Sequence, residues 1–244
     1  MQTLILCGGM GTRAYPYTHQ MPKALMPVNG QPILAHVMQI YCLYGHTDFV
    51  LSLGHLKEPI IEHFRAPEYA HLNIEFVDTG ETTDTGGRVK GCEHLLDDTF
   101  FATYCDGLGD VDLDMLLQHH RHCVQDKGGL ATVTAANLRS QYGILVTNSD
   151  SQVTGFQEKP ILPYWINGGF FVFEKRVFEC WEGDNLERDV LPHLASKGAL
   201  YSYRHTGFWK SMDTYKDQQQ MNVVWQPVLG QLMSNHPANA AFVL

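Results

Sequence analysis

Near its start the chain reads Leu4-Ile-Leu-Cys-Gly-Gly-Met-Gly-Thr-Arg13, and Met21-Pro-Lys23-Ala-Leu-Met-Pro-Val28 follows closely. An apolar run therefore ends in a loop that is rich in glycine. Glycine has no Cβ, so backbone N–H groups can approach an anion closely there, and successive N–H groups form an anion-binding concavity. Arg13 and Lys23 add two cations to this loop. The sequence predicts a buried strand that leads into a phosphate-binding loop.

The composition is that of a globular α/β protein. The 244 residues suit one large domain or two small ones, and 44% of them are apolar, an ordinary value for a protein with a sizeable core. The formal net charge of −9 argues against a nucleic-acid backbone as partner. This charge does not argue against a nucleotide ligand, because a local basic pocket and a divalent cation can neutralise its phosphates.

Cysteine usage and apolar stretches indicate the compartment. The six cysteines form no C-x-x-C pair and have no zinc-ligand spacing, so buried free thiols are expected. No apolar stretch approaches the roughly 18 residues of a membrane span, and the first residues lack a signal-peptide pattern. These features predict a cytoplasmic protein without a membrane partner.

Strand and helix patterns alternate through the first half of the chain. Short apolar runs predict strands at residues 4–7, 48–53, 72–77, 99–104 and 129–135. Helices are predicted at residues 32–44, 56–64, 88–96 and 113–125. Such alternation implies βαβ units and a mostly parallel sheet, in which ligands bind beyond the carboxyl ends of the strands. The glycine loop and Asp106 both follow such ends.

The second half has a different pattern. Residues 142–146 and 153–157 flank the polar turn Asn148-Ser-Asp-Ser151 and predict a hairpin. Further strands are expected at 167–174 and 200–203, and helices at 176–182, 187–195 and from 214 onward, whereas residues 161–165 match no pattern. We predict a single α/β domain over residues 1–244, with a Rossmann-like, mostly parallel mixed sheet flanked by helices and a small β-hairpin part.

Further motifs extend the pattern of the first thirty residues. Residues 8–13 match neither the dinucleotide fingerprint nor the P-loop. They resemble instead, together with the Pro-Lys pair, the signature of the sugar nucleotidyltransferases, the nucleoside-diphosphate-sugar pyrophosphorylases. The similarity is greatest to the glucose-1-phosphate cytidylyltransferases and covers about residues 3–225. It also rests on Val77-Asp-Thr-Gly80, Thr85-Gly-Gly-Arg-Val-Lys90, Tyr104-Cys-Asp106-Gly, Phe156-Gln-Glu-Lys-Pro160, Ile166-Asn-Gly-Gly-Phe170 and Gly207-Phe-Trp-Lys-Ser-Met-Asp213-Thr.

The resemblance implies a GT-A-like nucleotidyltransferase fold. It implies a nucleotide-binding half (residues 1–136), an acceptor-binding half (137–225) and a C-terminal tail (226–244). A nucleoside triphosphate, with CTP favoured, is expected to contact the glycine loop, a turn at residues 86–88 and two strand ends. These contacts involve Leu6, Gly8, Gly9, Gly11, Thr12, Arg13, Lys23, Gly86, Gly87, Arg88 and Asp106, with Arg88 donating to a pyrimidine carbonyl.

The resemblance also implies a metal site and the catalytic residues. Asp106 and Asp213 are expected to hold Mg²⁺, which usually takes one or two carboxylates together with substrate phosphates. Asp213 follows an aromatic-rich strand that should return to the sheet edge of Asp106. The expected catalytic residues are Arg13, Lys23 and Asp106, the two cations holding the triphosphate and neutralising the leaving pyrophosphate.

A phosphorylated acceptor completes the expected reaction. Lys159 would bind its phosphate, Glu158 would accept hydrogen bonds from sugar hydroxyls, and Gly143, Asn167 and Gly168 would lie close to the ring. The favoured acceptor is glucose 1-phosphate, whose phosphate oxygen attacks the α-phosphorus so that pyrophosphate leaves. The nucleotide sugar would serve surface-polysaccharide synthesis.

Several alternatives are open at this point. The enzyme could use UTP, dTTP or GTP, or it could transfer the cytidylyl group to a non-glucose or non-sugar phosphate or to a phosphonate. A nucleotide-binding regulator without turnover is the alternative from another class. The chain also differs from the cytidylyltransferases, which carry a longer insertion where only residues 65–73 stand here. A homo-oligomer is possible, and the missing insertion leaves its form open.

The sequence around the histidines indicates structural roles rather than metal binding or catalysis. His119, His120 and His122 lie together on a predicted helix, where His119 and His122 could share a face. No third metal ligand accompanies them, so a metal site is not expected there. His36 lies on an apolar helix and is interpreted as an interior histidine with satisfied hydrogen bonds.

Overall fold

The computed structural model describes residues 1–11 and 21–239. The strands are β1 (Thr3–Leu6), β2 (Pro27–Val28), β3 (Gln31–Pro32), β4 (Asp48–Leu53), β5 (Asn73–Asp78), β6 (Thr99–Tyr104), β7 (Gly107–Gly109), β8 (Ala131–Arg139), β9 (Ile144–Thr147), β10 (Val153–Gln157), β11 (Ile161–Glu174), β12 (Leu200–His205) and β13 (Trp209–Ser211). The α-helices are α1 (Ile33–Leu43), α2 (Lys57–Phe64), α3 (Thr85–Gly91), α4 (Leu113–Lys127), α5 (Leu191–Ser196) and α6 (Tyr215–Asn235).

Seven strands form the central sheet, in the order β12-β8-β11-β6-β1-β4-β5. β11 runs antiparallel to both of its neighbours, and the other ladders are parallel. In the centre of the sheet, Leu4 of β1 lies in register with Val50 of β4 and Ala102 of β6. The predicted mostly parallel, mixed sheet is confirmed.

Two hydrophobic cores cover the faces of this sheet. Because side chains alternate along a strand, Ile5 and Phe101 pack on one face, with α1, α4 and α6. Leu4 and Phe100 pack on the other face, with α3 and α5. The helices therefore flank the sheet on both sides, as the α/β pattern predicted. No helix of the described residues is both long and apolar enough to cross a membrane.

Helix α3 begins earlier than the sequence pattern indicated. Its N-cap is Asp84, whose carboxylate accepts from the backbone N–H of Thr85. Gly86, Gly87 and Arg88 therefore lie within a helix, and the predicted turn at 86–88 is wrong. The glycines permit close packing instead: Gly87 N donates to Asp184 O at 2.8 Å, and a Cβ on Gly86 would lie 2.8 Å from the same oxygen.

Residues 137–225 contain the predicted hairpin and one strand segment that the sequence pattern did not predict. β9 and β10 pair antiparallel across the turn at 148–151, where the Asn148 side chain accepts from Asp150 N and Gln152 N. Residues 161–165 form the first part of β11, which pairs with β8 through a register shift. The predicted helix at 187–195 divides into a π-helical turn (Leu186–Val190) and α5.

His36 is an interior histidine, as predicted, and its bonds specify the neutral ring. Its Nε2 donates to Val28 O at 2.8 Å, and its Nδ1 accepts from Trp225 Nε1 at 3.1 Å. Burial lowers the pKa of His36 below the ordinary value for histidine, and this effect outweighs the hydrogen bond to Val28, which would raise the pKa. A proton on Nδ1 would face the indole N–H, so the folded state disfavours the charged ring.

We therefore expect the free energy of unfolding to decrease as the pH falls below about 6.5, the pKa of an unperturbed histidine. Below that pH, His36 binds a proton in the unfolded chain, whereas the folded protein disfavours the protonated ring. The contribution of His36 to the free energy of unfolding is therefore complete above that pH and is lost below it. Urea unfolding across this range measures it. His36→Gln should reduce the acid dependence, because the amide can donate and accept in the same places without titrating. An equal dependence in His36→Gln and the wild type would contradict the prediction, and His122→Gln is the control at an exposed site.

Candidate active site

A cleft of about 870 Å³ opens at the carboxyl ends of β1, β5 and β6. Its walls are the loop after β1, the segment 81–85 after β5, and Tyr104 to Asp106 at the end of β6. Asn167 of β11, the turn Leu186–Val190 and the strand β13 complete it. This edge is where parallel α/β sheets bind ligands.

Lys23 lies between the two predicted metal-binding carboxylates. Its Nζ is 2.5 Å from Asp106 Oδ2 and 3.0 Å from Asp213 Oδ1. Burial by itself would lower the pKa of Lys23, but the two carboxylates outweigh it and raise the pKa. Lys23 is therefore a cation held at the point where both carboxylates converge.

A two-stranded ribbon brings the carboxylates together. β13 returns antiparallel to β7 with Ser211 opposite Gly107. Asp106 directly precedes β7, and Asp213 follows β13 by two residues. A hydrogen bond from Met212 N to Asp106 O, at 2.9 Å, closes this end of the ribbon. The expected return of the aromatic-rich strand to the edge of Asp106 is confirmed.

The carboxylate pair fits a magnesium ion that arrives with phosphates. Both side chains already share one cation, Lys23. Within residues 1–11 and 21–239, no group of three or more His, Cys, Asp or Glu side chains forms a metal site. Mg²⁺ is usually held by one or two carboxylates plus substrate phosphates, so this donor set suits it.

Arg88 is a buried link between two loops of the cleft, with 4% of its surface exposed. Its guanidinium donates to five oxygens, at distances from 2.9 to 3.3 Å: Gly8 O, Leu53 O, Thr79 Oγ1, Gly80 O and Glu81 O. The glycine at position 8 permits this approach, because a Cβ there would lie 1.9 Å from Arg88 Nη1. The side chain thus holds the glycine loop against the segment that follows β5.

The structure gathers most of the predicted nucleotide and metal residues in one cleft. Gly168 lies beside it, with its carbonyl oxygen accepting from Trp209 Nε1 at 2.7 Å. Thr12 and Arg13 lie outside the described residues, and Gly86 and Gly87 pack against the segment at Asp184. The predicted residues that line the cleft are Leu6, Gly8, Gly9, Gly11, Lys23, Arg88, Asp106, Asn167 and Asp213.

The other predicted acceptor residues lie apart from the cleft lining. Glu158 and Lys159 follow the hairpin, are both more than half exposed, and pair with each other at 3.4 Å. Gly143 lies beside Phe156 and Glu158, where a Cβ would clash with the aromatic ring. Their contacts with an acceptor stay predictions.

Sequence reasoning missed several residues of the cleft lining, among them Tyr104, Glu187 and Arg188. The Tyr104 hydroxyl donates to Glu187, which also accepts from Thr85 Oγ1 at 2.6 Å. Asn167 Nδ2 donates to the Tyr104 oxygen at 3.1 Å. Burial raises the pKa of Tyr104, so the phenol keeps its proton.

Glu187 and Arg188 bring carboxylate and guanidinium groups to the same wall. The sequence around Glu187 and Arg188 does not indicate a functional site, because these residues lie in a helical turn that is far along the chain from the glycine loop. Tyr104 could have been noticed, since it directly precedes Cys105-Asp106.

Comparison with known proteins identifies the family. The profile described as nucleotidyl transferase matches residues 2–222. The chain belongs to the nucleotidyl transferase family. This nucleotidyltransferase is 39% identical, over 249 residues, to the probable glucose-1-phosphate cytidylyltransferase of Bacillus subtilis (strain 168), covering 92% of this chain and 96% of the relative. It is 34% identical to the glucose-1-phosphate cytidylyltransferase of Salmonella typhimurium, covering 93% and 96%.

A solved structure shows the same fold. HddC from Yersinia pseudotuberculosis, crystallised in complex with GMP-PN, superposes with a TM-score of 0.72 over 92% of this chain and 99% of that one. At 20% identity, this likeness concerns the architecture of the nucleotidyltransferase alone.

Proposed function

We propose that this enzyme transfers the cytidylyl group of CTP to a sugar 1-phosphate, with glucose 1-phosphate as the favoured acceptor, and releases pyrophosphate. The observation that carries the proposal is the convergence of Lys23, Asp106 and Asp213 beside the glycine loop. Relatives named glucose-1-phosphate cytidylyltransferase, similar over most of the chain, support the choice of nucleotide and sugar. The nucleotide sugar would serve surface-polysaccharide synthesis.

The reaction needs alignment and charge stabilisation more than proton transfer. A phosphate monoester is already ionised at neutral pH, so its oxygen can attack the α-phosphorus without a general base. The glycine loop offers backbone N–H groups to the triphosphate, and Lys23 supplies positive charge where the pyrophosphate leaves. Arg13 is proposed as a second cation for the same anion. Positioning and fixed charge of this kind are the main sources of catalysis in phosphoryl transfer.

Asp106 and Asp213 would hold Mg²⁺ when the nucleotide binds. The ion would neutralise charge on the phosphates of the two substrates. Lys23 then has a second effect, because it keeps the two carboxylates close together before the ion arrives.

The part of the cleft wall formed by Tyr104, Asn167 and Glu187 suits an acceptor with several hydroxyl groups. Tyr104, Asn167 and Glu187 form one hydrogen-bonded chain there. Carboxylate and amide groups held rigidly in this way discriminate between hydroxyl arrangements, because an unmatched polar group is costly to bury. Lys159 remains the proposed partner of the acceptor phosphate.

Pyrophosphate release from CTP, UTP, dTTP, ATP and GTP, each combined with sugar 1-phosphates and non-sugar phosphates, tests the proposal. We expect rapid release with CTP and glucose 1-phosphate in Mg²⁺, and its loss in Asp106→Asn and Asp213→Asn. Asp126→Asn, at an exposed helix position, is the matched control. Release only with another nucleotide or acceptor would discard the specific substrates and keep the mechanism. Tight CTP binding without any release would indicate a regulator instead.

A further inference from the structure

The ribbon formed by β7 and β13 is short and carries both predicted metal ligands at one end. Three residue pairs join its strands, and an isolated ribbon of this kind is unstable in water. The end at Asp106 is closed by the hydrogen bond from Met212. The contacts that hold the opposite end of the ribbon, at Gly109 and Trp209, therefore affect how Asp106 and Asp213 lie relative to each other.

The side chains of His205 and Asp110 meet at that opposite end, where His205 is buried and 35% of the Asp110 side chain is exposed. His205 Nε2 lies 3.0 Å from Asp110 Oδ1 and donates to Phe208 O at 3.0 Å. Asp110 N donates to the same carbonyl oxygen at 3.1 Å. Among the described residues, the buried Oδ1 of Asp110 accepts no well-aligned hydrogen bond, and the His205 ring nitrogen lies 3.0 Å from it.

His205 also belongs to the central sheet. It is the last residue of β12 and lies in register with Ala136 of β8. Burial would lower the pKa of His205, but Asp110 and Phe208 O raise it above the ordinary value. The His205 ring therefore ties a strand of the sheet to the far end of the ribbon.

Gly207 makes room for this arrangement. A Cβ at that position would lie 2.3 Å from Asp110 Oδ1 and 2.8 Å from His205 Cε1. Any other residue would separate the pair or move the strand β13. The glycine of the Gly207-Phe-Trp motif thus has a packing reason, which is the close approach of these two side chains.

We propose that His205 and Asp110 are positioning residues that set the register of the ribbon, and through it the placement of Asp106 and Asp213. The role of those two carboxylates rests on the proposed function. Asp110 stands four residues from Asp106 along an extended chain, about 13 Å at the usual rise per residue. The pair therefore acts through the ribbon and does not itself touch substrate.

Three variants test this proposal: Asp110→Asn, His205→Gln and the double variant. In the presence of CTP, we expect the affinity for Mn²⁺, followed by electron paramagnetic resonance, to fall about tenfold in each, with non-additive effects in the double variant. CTP affinity without metal should not change. Deuterium exchange should accelerate in peptides covering residues 107–109 and 209–211. The surface pair His193–Glu182, with nitrogen and oxygen 2.9 Å apart, supplies the control His193→Gln.

Two results would overturn the positioning role. One is unchanged exchange in the ribbon together with unchanged Mn²⁺ affinity in Asp110→Asn. The other is a fall in stability with uniform exchange changes across the protein, as a general folding defect would produce. Gly207→Ala gives an independent check, because it should disturb the same peptides. If the wild-type enzyme releases no pyrophosphate from any nucleotide, the proposed function fails, whereas the exchange comparison still decides whether the pair sets the register.

Discussion

Lys23→Ala should lower kcat for pyrophosphate release by about 10²–10³-fold, the usual effect of removing one preorganised electrostatic donor. The variant loses the cation that faces the leaving group. It also leaves Asp106 and Asp213 without the ammonium that now lies within 3.0 Å of both. Steady-state kinetics with CTP and glucose 1-phosphate measure the effect.

The matched control is Lys127→Ala, which removes an equal charge at the end of α4, where the ammonium lies over the Tyr201 ring. Its kcat should stay near that of the wild type. Lys23→Arg should recover part of the lost rate, because it restores the charge with different geometry. Near-normal activity in Lys23→Ala would refute the role assigned to this residue.

Arg88→Ala should have the largest effect on stability, lowering the free energy of unfolding by about 3–5 kcal/mol. Each buried acceptor that loses its donor costs about 1–3 kcal/mol, and water from the adjacent cleft can satisfy some of the five oxygens. The variant should also bind CTP more weakly, because the carbonyl of Gly8 is no longer held. Urea unfolding and CTP titration measure the two effects.

A different result would support the prediction that Arg88 contacts the pyrimidine base. In that case Arg88→Ala would keep its stability and change the preference between CTP and UTP. Arg176→Ala is the control, because Arg176 is exposed and makes one long hydrogen bond, 3.4 Å to Gly129 O. It should unfold at nearly the wild-type urea concentration.

Local patterns were sufficient for the main elements of the fold. The apolar run before Gly8 became β1, and the strand predicted at 99–104 has the same bounds in the structure. Such elements are predictable because alternation, capping residues and glycine stops act within a few residues. The start of α3 was missed because Gly86-Gly87 is typical of a turn, whereas Asp84 and the packing against Asp184 favour a helix.

The sequence by itself determined the α/β class, the glycine loop at a strand end and the set of charged residues from which the cleft is built. Only the tertiary structure decided what those residues contact. Arg88 reaches carbonyls as far away as Gly8, and Lys23 meets Asp213 from the far end of the chain. The reason is physical: local propensities act through neighbouring residues, whereas hydrogen bonds and ion pairs between distant segments exist only after the sheet has brought its strand ends together.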